Sequence, residues 1–235
     1  MNVQLRTEAS SYLVFEPIRI TVELANQTAR DLTVGGPQAV AHLSFSVRYR
    51  QSQRIRRYEP EKGFPPITVP ARTTIQTNIN LLAYYDMRRV GDYTVQAVIH
   101  WGNDTFFSNN TYIDIQQGTP LASVTTEHEP DRTMRTFSLE SINRRGTQQV
   151  FLRIEDDARC YAVLPLGRII KLHPPTMQTD QNGDVHILFQ SGPDTYLRYQ
   201  VRPDGAIVKR ERLASGRGPV EFERDSSGRL SVPRR

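Results

Sequence analysis

Apolar and polar residues trade places at every second position over several stretches of this chain, and a period of two is the signature of a β-strand with one buried face. Ile18, Ile20, Val22 and Leu24 alternate with Arg19, Thr21 and Glu23. Leu43, Phe45, Val47 and Tyr49 do the same against Ser44, Ser46, Arg48 and Arg50, and Tyr93, Val95, Ala97 and Trp101 against Thr94, Gln96 and His100. Further strands are predicted around 73–82 and 112–116, and no stretch has a convincing helical period. Strands with one apolar face, spaced this way over about 115 residues, call for a two-sheet antiparallel sandwich.

The residues that open and close this half carry a family resemblance. Phe15-Glu16-Pro17-Ile18-Arg19-Ile20-Thr21-Val22 is similar to the first core strand of bacterial immunoglobulin-like and macroglobulin-like modules. Val90-Gly91-Asp92-Tyr93-Thr94-Val95 resembles their turn-Gly-x-Tyr-x-Val stretch. The resemblance implies that Tyr93 sits at a corner before a late strand, its hydroxyl tied to nearby backbone. It covers about residues 3–117 and implies little about activity, because such sandwiches host many functions.

The second half repeats itself. Asp180-Gln181-Asn182-Gly183-Asp184-Val185-His186-Ile187 matches Asp225-Ser226-Ser227-Gly228-Arg229-Leu230-Ser231-Val232 without a gap. In a second register, Tyr161-Ala162-Val163-Leu164-Pro165-Leu166-Gly167 matches Tyr199-Gln200-Val201-Arg202-Pro203-Asp204-Gly205. A period of roughly 40 residues with several strands in each repeat resembles the blades of β-propeller proteins. The expected fold is therefore all-β: an immunoglobulin-like sandwich over 1–117, a linker over 118–132, and two to three propeller-like antiparallel repeats over 133–235. A closed propeller needs about four blades or more, and open sheet edges invite pairing. The repeats are expected to pack face to face or to complete one another by self-association through those edges, unless the chain is truncated.

Catalytic signatures are missing. There is no Gly-x-Ser-x-Gly elbow, His-Glu-x-x-His, phosphate loop or Gly-x-Gly-x-x-Gly. The five histidines are dispersed, with His42 and His100 expected to face outward from sandwich strands. Asp180–Asp184 lacks the glycine and glutamate of a calcium loop, having Val185 and Ser191 in their places, and reads as a tight turn. Glu155-Asp156-Asp157 reads as a solvated turn. The single cysteine, Cys160, excludes an intrachain disulfide and is expected to be buried and inert. No enzyme activity, metal or cofactor is expected.

Charge marks one candidate site. Net charge is +5, from 27 Arg and 3 Lys against 25 acidic residues. Arg48, Arg50, Arg54, Arg56, Arg57 and Lys62 fall within residues 48–62 against Glu59 and Glu61 only, interleaved with Tyr49 and Tyr58. This basic hairpin, with Arg48, Arg50, Arg54, Arg56, Arg57 and Tyr58 as candidate binding residues, suits an acidic or polyanionic partner; nucleic acid is not expected.

The leading expectation is a non-enzymatic binding or assembly module of a larger bacterial system, with an unknown protein or polyanion as partner. The alternative is a sandwich resembling the small intracellular-type proteinase inhibitors of bacilli, in which a loop over 58–66 would enter a protease. A hydrolase with its site between the halves is a third class. No apolar run is long enough to span a bilayer. The first six residues lack a secretory apolar core, so a periplasmic or extracellular location, the favoured one, would require a leader outside this chain.

Overall fold

A computed structural model describes residues 1–36, 39–59, 63–128, 130–215, 218–226 and 230–232. Regular structure among them is β throughout except for one 3₁₀ turn at Leu81–Ala83. The chain divides into two compact units, Met1–Gln117 and Gly118–Arg235.

In the first unit the strands are β1 (Asn2–Thr7), β2 (Ser11–Leu13), β3 (Arg19–Ala25), β4 (Leu32–Val34), β5 (Ala41–Tyr49), β6 (Gln53–Ile55), β7 (Ile67–Val69), β8 (Thr74–Asn80), β9 (Gly91–Trp101), β10 (Asp104–Phe107) and β11 (Thr111–Gln116). They make a three-stranded sheet, β1-β3-β8, and an eight-stranded sheet ordered β2-β11-β9-β5-β4-β7, with β10 on β9 and β6 on β5. Both sheets feed one core: Val3, Ile20, Val22 and Leu24 from the first, Phe45, Val47, Val95 and Ile113 from the second. The period-two residues are thus the buried ones, because a pleated strand sends alternate side chains to one face.

Tyr93 donates its hydroxyl to the carbonyl of Arg89 at 3.0 Å, the backbone tie expected of a corner tyrosine. Gly91, two residues earlier, has φ +131°, and a Cβ there would lie 3.1 Å from the Tyr49 ring. Only glycine combines that dihedral with so close an approach.

The second unit contains β12 (Thr119–His128), β13 (Thr133–Arg144), β14 (Thr147–Glu155), β15 (Cys160–Arg168), β16 (Thr176–Thr179), β17 (Val185–Gly192), β18 (Thr195–Val201), β19 (Ile207–Ala214), β20 (Glu223–Arg224) and β21 (Leu230–Ser231). Two four-stranded antiparallel meanders, β12-β13-β14-β15 and β16-β17-β18-β19, are followed by the β20-β21 hairpin. The meanders share one core, with Phe137, Leu139 and Leu152 on one side and Val185, Ile187, Phe189 and Val201 on the other. Arg135 of β13 donates to the Pro203 carbonyl at 3.0 Å, and Tyr199 of β18 donates to the Leu166 carbonyl at 2.5 Å, so polar clips join the same two sheets.

Two expectations are corrected here. Residues 118–132 are not a linker: β12 pairs with β13 along almost its full length, from Thr119 opposite Ser141 to His128 opposite Thr133. Gly118 and Pro120 suggested a break, but Pro120 lies on an edge strand beside a bulge, where a missing N–H costs little. The Tyr161 and Tyr199 registers are also not equivalent positions. Tyr161 is near the start of the fourth strand of one meander, whereas Tyr199 is in the later part of the third strand of the next, which runs into the Arg202–Ala206 turn. The Asp180–Asp184 register does fall on a hairpin turn, between β16 and β17, but its partner includes 227–229, outside the described residues. There is no closed ring of blades among the described residues.

Candidate functional site

The basic segment does not act as one cluster. Strand β5 turns back through Arg50 and Gln51, both at positive φ (47° and 63°), and pairs with β6 as far as Val47 opposite Ile55. Within that hairpin Arg48 stands directly opposite Arg54. Arg48 is also opposite Thr94 on β9, and Thr94 is opposite Tyr112 on β11. Tyr112, Thr94, Arg48 and Arg54 therefore form one transverse row on the outer face of four adjacent strands, about 14 Å across at the usual strand spacing. Tyr112 is 66% exposed, while its neighbours Tyr93, Val95 and Ile113 point into the core.

Ser46, Gln51, Gln96 and Asn110 complete a polar depression of ≈ 290 Å³ around Arg48 and Tyr112. The next row holds Asp92 opposite Asp114, so the face runs from acidic to basic toward the β6 edge. Arg50 lies 5.1 Å from the centre of the Tyr49 ring. Arg48, Arg50, Arg54 and Arg56 make no ion pair with a described residue.

Arg57 and Tyr58 leave this face. A bridge to Tyr85 and the bond from the Tyr58 N–H to the Tyr84 carbonyl turn the chain toward a separate cavity. Burial, reinforced by the Asp86 carboxylate, raises the Tyr58 phenol, which stays protonated at neutral pH. Lys62 lies outside the described residues, as does the middle of the 58–66 loop. Phe64 of that loop is 2% exposed and packs 5.2 Å from Phe45, centroid to centroid, which anchors the segment inward.

The second unit holds a polar cluster that sequence reasoning missed. His186 of β17 and Arg198 of β18 are both buried. His186 Nε2 lies 2.9 Å from Asp180 Oδ2, and Arg198 Nη2 lies 3.2 Å from His186 Nδ1. Arg198 also donates to Glu211 at 3.3 Å and to the Leu230 carbonyl at 3.1 Å. A guanidinium can only donate, so Nδ1 must accept and the ring proton sits on Nε2 facing Asp180. Both ring nitrogens are therefore occupied. Ser231 lines the same ≈ 580 Å³ depression, yet no imidazole nitrogen remains to take its proton. An Asp-His-Ser reading fails on that geometry, and the cluster instead ties β20-β21 onto the sheet. Its signal was faint in sequence because His186 and Arg198 sit on different strands.

Other candidates resolve locally. His42 and His100 are exposed and directly opposite each other. Cys160 is half-buried rather than fully buried, and burial raises its thiol so that it stays protonated. Asp156 accepts from the backbone N–H groups of Ala158 and Arg159, as a turn residue does. No group of three or more His, Cys, Asp or Glu among the described residues could hold a metal.

No family of known sequences matches the chain, and no curated protein does. Among solved structures, a DUF4784 family protein from Bacteroides caccae is similar over the whole chain and 84% of its own length, at 8% identity and a TM-score of 0.23. The lysenin pore is similar over 90% of the chain and 93% of its own length, at 10% identity and a TM-score of 0.13. Likenesses this distant carry no argument about function, which has to be read from the residues themselves.

Proposed function

We propose that this protein is a non-catalytic binding and assembly module, with an immunoglobulin-like sandwich as its first unit and propeller-like blades packed face to face as its second. The sandwich engages an acidic or polyanionic partner through the β5-β6 hairpin. One observation carries the reading: Arg48 stands opposite Arg54 on an exposed face, with no carboxylate paired to either among the described residues. Like charges directly opposite across an antiparallel pair are destabilising. An anion bridging them relieves that repulsion, and planar guanidinium groups suit sulfate, phosphate and carboxylate oxygens. The exposed Tyr112 at the far end of the row offers a stacking surface. Asp92 and Asp114 confine the anionic groups to the β6 side.

Retention on a heparin column across a salt gradient tests it, because each lost phosphate- or sulfate-type contact lowers the salt dependence. Arg48→Ser/Arg54→Ser/Arg56→Ser should elute at clearly lower salt than Arg19→Ser/Arg30→Ser/Arg212→Ser, which removes the same charge elsewhere. Equal elution of the two triples would mean that only net charge is being sensed.

A further inference from the structure

Arg57 is held in an unusual way for a charged side chain. Its guanidinium carbon lies 4.2 Å from the centre of the Phe64 ring and 5.0 Å from that of Tyr84. Those two rings are 4.6 Å apart, tilted by 49°. Arg57 Nε and Nη2 are shut off from solvent and have no hydrogen-bond acceptor among the described residues. Cation–π attraction offsets part of the cost of drying a guanidinium. It does not replace the acceptors, and a buried donor left unpaired is costly.

The same side chain lines a cavity of ≈ 570 Å³, within the usual size range for small-ligand sites. Leu82, Ala83 and Tyr84 give that cavity apolar and aromatic walls, with Tyr58 and Arg88 beside them. Glu59 also contributes to the lining, so its titratable set is Arg57, Arg88, Tyr58, Tyr84 and Glu59. Arg88 is paired with Asp86 only at 3.9 Å, and both side chains are more than half exposed. A pair of that kind contributes little and releases its arginine readily.

We infer that this cavity is a binding site for a carboxylate carried on an apolar or aromatic body. The carboxylate would bridge Arg57 and Arg88, while the body would rest against Leu82, Ala83 and the tyrosines. Arg57 can offer the carboxylate Nη1, since its Nε and Nη2 are enclosed, while the exposed Arg88 guanidinium can pair with it bidentately, and the apolar walls take up the rest of the ligand. Such a group has two sources, a free small acid or the C-terminus of a peptide. The site is separate from the Arg48–Arg54 row and does not depend on it.

Titrating the full chain with N-acetyl-phenylalanine, followed by the arginine Nε–H signals in NMR, tests the inference. A saturable shift of the Arg57 signal is expected, with none for the corresponding amide, which keeps the ring and loses the charge. Arg88→Ala, at an exposed position, should weaken binding by about tenfold or more, as expected for a lost hydrogen bond to a charged group. The Arg48→Ser/Arg54→Ser/Arg56→Ser protein should bind unchanged, so this test and the heparin test fail independently. A tetrapeptide ending in a free phenylalanine that binds more tightly than the small acid identifies a peptide C-terminus as the source; weaker binding identifies a small acid. Equal binding of acid and amide, no saturation at millimolar ligand, or an Arg88→Ala protein that binds like wild type would each overturn the assignment.

Discussion

At the scale of single residues, the second unit is punctuated by Asp and Asn side chains that fold back on their own turns. Asp131 accepts from the Thr133 hydroxyl and N–H and contacts His128, Asn143 accepts from the N–H of Gly146, and Asp180 from those of Asn182 and Asp184. Short carboxylates and amides do this because their reach matches a backbone donor two to four residues ahead. The hydrogen bond from Thr133, then that from His128, holds the Asp131 carboxyl well below the ordinary carboxylate range. A depressed carboxyl contributes stability that is present above its unfolded pKa and lost as pH falls below it. Asp131→Ala should therefore lower Tm at neutral pH, with the gap narrowing in acid; thermal melts at several pH values check this.

Glu140 has the opposite sign. Burial raises its carboxyl against the pull of Arg153 at 3.7 Å, and its Oε2 has no hydrogen-bond partner among the described residues. A carboxyl raised in the folded state binds more protons there than in the unfolded chain, so its contribution falls as pH rises from the carboxylate range. Glu140→Gln should raise Tm at neutral pH and match wild type once the pH drops to the carboxylate range. A neutral-pH loss would show that the Arg153 contact outweighs desolvation.

At the scale of elements, alternation located β3, β5, β9 and β11 because each carries one apolar face. It was silent on β12, where seven of ten positions alternate only between exposed and half-buried and no apolar run stands out. It was equally silent on the partition of the basic segment. Arg54 and Arg57 are three residues apart, and only the end of β6 and the Tyr85 bridge send them to different surfaces. The corner was legible because Gly-x-Tyr is a local device. Removing its hydroxyl with Tyr93→Phe should cost about 1 kcal/mol in denaturant unfolding, the usual net value of one hydrogen bond, without changing the slope.

At the scale of the whole molecule, each unit has its own core, and each should fold when produced alone. Residues 1–117 and 118–235 expressed separately are each expected to give a cooperative transition. The second fragment should be monomeric by light scattering, because its two meanders already bury their apolar faces against each other. Its outer strand β19 is bordered by β18 alone among the described residues, and it carries Lys209, Arg210 and Arg212, charges that discourage edge pairing. A stable dimer would place the edge, rather than the face, in control of assembly.

The sequence alone determined that this chain is built of strands and where several of them lie, because burying one face of a pleat imposes a period of two on the residues themselves. It also marked the excess of arginine between 48 and 62. The tertiary structure decided which of those arginines stand together. Opposite residues on neighbouring strands come from distant parts of the chain, and no local pattern encodes register between them. Tyr112, Thr94, Arg48 and Arg54 meet in one row for that reason, and Arg57, three residues from Arg54, faces a different cavity.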